Sequence, residues 1–498
     1  VAVGALALSG DTLGSKSTAI GRGALKIQDF TTATDSHNTA VGYSAGEAVT
    51  TGTRNTIVGS LAGDAINTGQ RNEIFGYSAG SGITTGEYNV AMGYEALGLT
   101  TTGVRNVAIG TQALYTNVDG DGNVAVGFEA LFTMEPGDGL SYNTAVGYTA
   151  GKAVTTGDKN TLIGASAGLL LNTGVQNTVL GHLAAAAITD DSDTVAVGYQ
   201  ALTACTVGGN IAVGSEAFQV CTTGNSNTAM GLQAGRFVTT ADNTTFVGAN
   251  AGKGISGAKL TGDHNTAIGK DAGLVLQGAG SANTLVGESA GRAITTGAGN
   301  TVIGSNAGST LNTGSTNTYI GRSSADGATT GGSNVCLGYE AGKGQFSTSS
   351  NQLYIARSNT GAGNAATWIY GNSDGALIQG NNSTAWSQTS DRRIKKNITN
   401  SSKGLADVNN LKIRNFEYKT LEEAESGEEG LSYVDKAGVQ TGVIAQEIQS
   451  VFPNSVKAHE INGTLTVVAD ELNWAALKAI QELSTALDAA LARIATLE

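Results

Sequence analysis

The sequence predicts a mainly β fold of the solenoid kind, a shaft of about 20 short coils followed by a small α+β domain and a terminal helix. Three observations predict it. A five-residue phrase, Asn-x-x-Val/Ile-Gly, returns along most of the chain. Two adjacent positions of that phrase are apolar in copy after copy. Near residue 350 the repeat dissolves and the composition changes.

The phrase begins at Asn38 and recurs at Asn55, Asn72, Asn89, Asn106, Asn123, Asn143, Asn160 and Asn177, then with Thr at Thr194. It continues at Asn210, Asn227, Thr244, Asn265, Asn283, Asn300, Asn317 and Asn334, and fades at Asn351. Most intervals are 17 residues, and partial copies end at Gly4 and Gly21. Helix pairs and propeller blades need repeats of about 34 to 50 residues. The shorter period suits one solenoid coil, with two short strands and two turns expected per coil. Val, Ile, Phe, Met and Leu follow the Asn as a strand prefers, and Thr-Thr-Gly or Asn-Thr-Gly supplies a turn. Longer intervals, such as the one holding Glu135-Pro136-Gly137-Asp138, are expected to swell turns and leave the ladder intact. The Asn column is expected to hydrogen-bond turn backbone from coil to coil.

The fourth position is large and apolar (Val41, Val58, Phe75, Met92, Ile109), and so is much of the third. Neighbouring strand residues point to opposite faces. Both faces are therefore expected to be buried, one inside the coil and one against another chain. Three chains around an axis is the simplest closed solution, and a dimer also satisfies the pattern. Ile57, Ile74, Leu162, Phe246 and Leu285 of the third column are the expected interface residues.

Composition narrows the function. Gly is frequent (72) and Pro rare (2), unlike most disordered chains. Aromatic residues at 5% and charged residues at 14% are too few for one large core. A net charge of −13 argues against a nucleic-acid binder. No apolar run is long enough to insert in a membrane. A leader or anchor would lie before Val1, which opens in mid-pattern. His37, His182, His264 and His459 are scattered, and no metal or cofactor is expected. Cys205 and Cys221 fall at the same point of successive coils and are expected as small buried apolar residues, a disulfide being the alternative. Thr columns suit ice-binding solenoids, but the uneven intervals break a lattice match. No paired carboxylates mark a glycan-cleaving cleft.

Beyond the shaft (1–350), residues 351–389 read as an intertwined β connector and 390–470 as a globular domain. Residues 471–498 read as a helix. Ala476, Ile480, Leu483, Leu487, Ala490, Ile494 and Leu497 follow the spacing of a coiled-coil seam, with Ile480, Leu487 and Ile494 at the expected trimer contact.

The shaft phrase resembles the head repeats of YadA-type trimeric autotransporter adhesins, which implies a left-handed β-roll wound as a trimer. Ser390-Asp391-Arg392-Arg393-Ile394-Lys395, followed by Gly442-Val-Ile-Ala-Gln446-Glu447-Ile448 and Val451-Phe452-Pro453, resembles the intramolecular chaperone domain of endosialidases and other phage tailspikes and fibres (peptidase family S74). That resemblance implies a domain that trimerises, registers the shaft and then cuts itself off. Ser390 would be the nucleophile attacking the Thr389–Ser390 bond, and Lys395 the general base with its pKa lowered by burial or a neighbouring cation. Asp391 would position the loop. The resulting expectation is a homotrimeric phage tail fibre on a virion. Its partners would be a host receptor, either glycan or protein, and other tail proteins through a region before Val1. No enzyme activity is expected in the shaft. The alternative is an extracellular trimeric adhesin carrying the same domain.

Overall fold

In the computed structural model the described residues are 1–135, 137, 139–345, 347–357, 367–371, 377–379, 396–419, 438–458 and 465–497. The chain divides into two units, Val1–Trp386 and Ser387–Glu498. The first is mainly β, a solenoid of about 21 turns with 17-residue spacing.

Each regular coil contributes one strand of three residues, such as Thr39–Val41, Thr56–Val58 and Glu73–Phe75, to a continuous parallel sheet. The expectation of two strands per coil is corrected. A glycine with φ between 119° and 144° follows each of these strands and ends the extended run. Non-glycine residues such as Ser44 (φ 52°) and Ser78 (φ 49°), two positions further on, are left-handed. That wall is a stack of turns, bonded coil to coil as in Leu61 N–H to Tyr43 C=O (2.9 Å).

Register is strict. Ala40 pairs with Ile57, Ile57 with Ile74 and Ile74 with Ala91. Irregular coils keep it, since Val124 pairs with Thr144, Val195 with Ile211 and Thr245 with Thr266. At the end of the repeat the ladder continues through Gln352, whose N–H donates to Asn334 Oδ1 (2.8 Å). Asn351 holds the left-handed position before it (φ 57°), so the last copy starts one residue later than expected. Leu353–Ala356 then pairs antiparallel with Thr367–Gly371, and that strand with Leu377–Gln379.

The interior is one side chain deep. The middle strand residue points in, as do an Ala column (Ala45, Ala62, Ala79, Ala96) and a third column (Val49, Ile66, Ile83). Volume is exchanged within a coil. Where the middle residue is large, as at Ile57, Ile74, Leu162 and Phe246, the residue six positions on is Gly63, Gly80, Gly168 or Gly252. Where the middle residue is Ala91, Ala108, Ala125 or Ala212, that position holds a buried Leu97, Leu114, Leu131 or Phe218. A Cβ on Gly80 would lie 2.8 Å from Ile74 Cδ1, so this coil has no room for a bulky side chain at both positions.

Among its described residues the second unit is a small α/β region that includes the α-helices α1 (Leu405–Val408), α2 (Ala445–Ile448) and α3 (Asp470–Ala495). Two antiparallel pairs accompany them, Arg414–Phe416 with Gln440–Gly442 and Val456–Ala458 with Leu465–Val467.

Candidate functional site

Two surfaces bear on function, the outward face of the shaft sheet and the second unit. On the sheet, Ile57, Ile74, Leu162, Phe246 and Leu285 are fully buried within their own chain. Their assignment to a chain–chain interface is corrected: as middle residues of three-residue strands they point into the coil. The outward residues are the first and third of each strand. The third forms an apolar line, Val41, Val58, Phe75, Met92 and Ile109 on to Leu337. Ile20, Met92, Ile268 and Ile320 along it are each 40% exposed in a single chain. At about 4.8 Å per strand step the line runs on the order of 95 Å, a contiguous apolar feature of the kind that marks an interaction surface.

The Asn column holds the coils together. Asn72 Nδ2 donates to Gly86 C=O (3.0 Å), closing its own coil, and Asn72 Oδ1 accepts the Asn89 backbone N–H (3.1 Å). Its neighbours repeat both bonds, as in Asn55 to Gly69 and Asn72 N–H to Asn55 Oδ1. These side chains are wholly buried, so each unmade bond would cost about 1–3 kcal/mol.

Thr389, Ser390, Asp391 and Lys395 lie outside the described residues, as do Arg392 and Arg393. Lys396 is exposed. From there the domain is held by charged side chains bonded to backbone and to one another. Lys478 on α3 donates to the Ser401 carbonyl. Glu482 Oε2 accepts the Leu405 N–H at the start of α1 (2.7 Å). Asp407 accepts the Gly404 N–H (3.1 Å) and pairs with Lys403 (3.2 Å), and these contacts, the backbone bond first, lower its pKa. The Lys403 ammonium sits 5.4 Å from the Phe452 ring centroid.

The second sequence block has a structural role. Gly442 ends a strand, and Ala445, Ile448 and Phe452 are buried. Glu447 faces outward to a two-pronged bond with Arg414 (3.0 and 2.8 Å), which holds its carboxyl below the usual range. Helix α3 has two apolar sides. Ala475 and Ala479 are buried, whereas Ile480, Leu483, Leu487, Leu491 and Ile494 remain more than half exposed. Sequence reasoning missed Arg414, Lys478 and Glu482, because their partners are backbone groups or side chains 33 to 77 residues away.

Residues 390–457 match the family model of the peptidase S74 chaperone of endosialidase. The chain therefore joins a β-solenoid to a segment of the endosialidase-type chaperone kind. No curated protein and no solved structure matches the chain. Among the described residues no helix is long and apolar enough to cross a membrane, and no group of His, Cys, Asp and Glu is arranged to hold a metal ion.

Proposed function

We propose that this chain is the homotrimeric tail fibre of a phage or phage-like particle, assembled and registered by its own C-terminal domain. The domain then cuts itself free before Ser390. The observation that carries this reading is the apolar line on the outward face of the shaft sheet, in a chain that ends in a chaperone-of-endosialidase domain. Two further copies of the same sheet are the natural cover for that line, because an identical repeat offers an identical complementary face. The exposed stripe on α3 would close in the same trimer as a coiled coil.

The repeat explains why a chaperone is needed. Slippage by one coil changes few contacts on a ladder repeating every 17 residues, so three chains could pair in many registers. A domain that trimerises first fixes one register and raises the local concentration of the shafts. Its removal leaves the assembled shaft without the nucleus that guided it, so unfolding becomes slow.

In the proposed cut, the Ser390 hydroxyl loses its proton to the Lys395 amine and attacks the Thr389 carbonyl. The Thr389–Ser390 C–N bond breaks, and the Ser390 nitrogen takes that proton back from Lys395 and leaves as a free amine. The ester formed is then hydrolysed, leaving Thr389 as a new C-terminus. Ser390→Ala and Lys395→Ala should each give full-length chains on a denaturing gel, and the unaltered protein two fragments. A variant still cut before Ser390 would refute the dyad. The shaft, exposed to solvent along its length, would present the surface to a host receptor.

A further inference from the structure

We infer that Cys205 and Cys221 form a cross-coil dithiol that oxidises to a disulfide during folding and staples the shaft where its asparagine ladder is interrupted. Both are free thiols, fully buried in the third inward column, with Sγ atoms 3.3 Å apart. Neighbouring strands lie about 4.8 Å apart, and residues stacked at that spacing fall within the Cα separation that disulfides span, about 4.4–6.8 Å. Closing 3.3 Å to a bond of about 2.05 Å therefore needs side-chain rotation and little backbone movement.

An independent observation marks the same coil as weak. Thr194 stands where an Asn belongs, and its N–H still reaches Asn177 Oδ1 (3.0 Å). Its own buried hydroxyl has no hydrogen-bond partner, so it does not serve Asn210 as Asn160 Oδ1 serves Asn177 and Asn177 Oδ1 serves Thr194. The interval to Asn210 is also contracted to 16 residues. The two cysteines span that contracted interval, so a bond between them would close one whole coil into a covalent ring.

The chemistry requires an oxidant, and a small-molecule disulfide such as oxidised glutathione suffices. The Cys221 thiolate attacks it, forming a mixed disulfide and expelling one small thiolate. The Cys205 thiolate then attacks the Cys221 sulfur and expels the second. Two protein S–H bonds become one S–S bond, and the reagent's S–S bond becomes two S–H bonds. Asn210 Nδ2, 3.6 Å from Cys205 Sγ, donates toward that sulfur and favours its thiolate as the closing nucleophile. Because both sulfurs are sealed in the finished coil, exchange precedes closure, and the finished bond resists reductants.

The test is to refold the uncut Ser390→Ala chain with oxidised or with reduced glutathione, alkylate it under denaturing conditions, and map its peptides by mass. The expected result after oxidative refolding is a Cys205–Cys221 crosslink lighter by two hydrogens, with Cys336 alkylated. The oxidised protein should melt several degrees above the reduced one. Cys221→Ala should abolish that difference and Cys336→Ala should preserve it. Glutathione caps or alkyl groups on both cysteines, a Cys205–Cys336 link, or equal melting of the two forms would overturn the proposal.

Discussion

Gly59 has φ +142°, and a Cβ there would lie 2.2 Å from the Gly76 carbonyl oxygen, so this column admits no side chain between successive coils. Gly59→Ala should cost about 3 kcal/mol, read as lost amide protection in the adjoining coils. Gly257→Ala, with open space around it, should change nothing measurable. The exchange of volume between Ile74 and Gly80 makes a sharper prediction. Ile74→Ala should destabilise by about 2–4 kcal/mol and Gly80→Leu by overpacking. The double variant should recover part of the loss, and Ile83→Thr added to it most of the rest, because the Ala91–Leu97 coil that already uses that arrangement, with Leu97 at φ 53°, carries Thr100 where Ile83 stands. Additive losses in the double variant would show that the two positions do not share space. The Asn and Gly columns were legible in the sequence because each is a single residue type at a fixed interval. The Ile74–Gly80 exchange leaves a weaker trace, an anticorrelation between two positions six residues apart. The wrong face was assigned to Ile57 and Phe246 because alternation along three residues says which side chains share a face, and not which face turns inward.

Among the elements, helix α3 shows best how a surface is divided. Ala475 and Ala479 are small and buried, so the helix sits close to its own domain, while Ile480, Leu487 and Ile494 stay exposed. Leu487→Asp should therefore leave the fold of the second unit intact by circular dichroism and abolish its self-association, since a charge is costly only in a dry seam. Loss of the monomer fold would contradict the division. The carboxylates of this unit fix its pH response. Glu447 and Asp407 have folded pKa values below their ordinary ones, so their contribution to stability is present above about pH 4.5 and fades as pH falls through the lowered values. Thermal melts of the isolated unit should be flat from pH 8 to about pH 5 and decline below about pH 4. The effect should be small, because both groups face solvent. Helix α3 was legible from its heptad spacing. The bonds from Glu482 to Leu405 and from Lys478 to Ser401 were not, because no sequence spacing encodes a contact over 77 residues.

Over the whole molecule, a 50.0 kDa chain devotes most of its length to a ladder that carries almost no register information. Strand residues repeat, and the irregular coils put their extra residues into turns while the sheet continues unchanged. An assembly built on that face needs an outside reference, which the C-terminal domain would supply. Deleting residues 390–498 before synthesis should give shafts that aggregate or pair in mixed registers. Separating the same segment after assembly should leave the shaft trimer intact, and comparing the two samples by sedimentation checks this. The most direct test of the central claim is the mass of the Ser390→Ala protein under native conditions, set beside its mass when denatured. The account predicts a native particle of three uncut chains, three times the 50.0 kDa found on denaturation. A soluble native particle of one chain, with the apolar line of the shaft exposed, would contradict it.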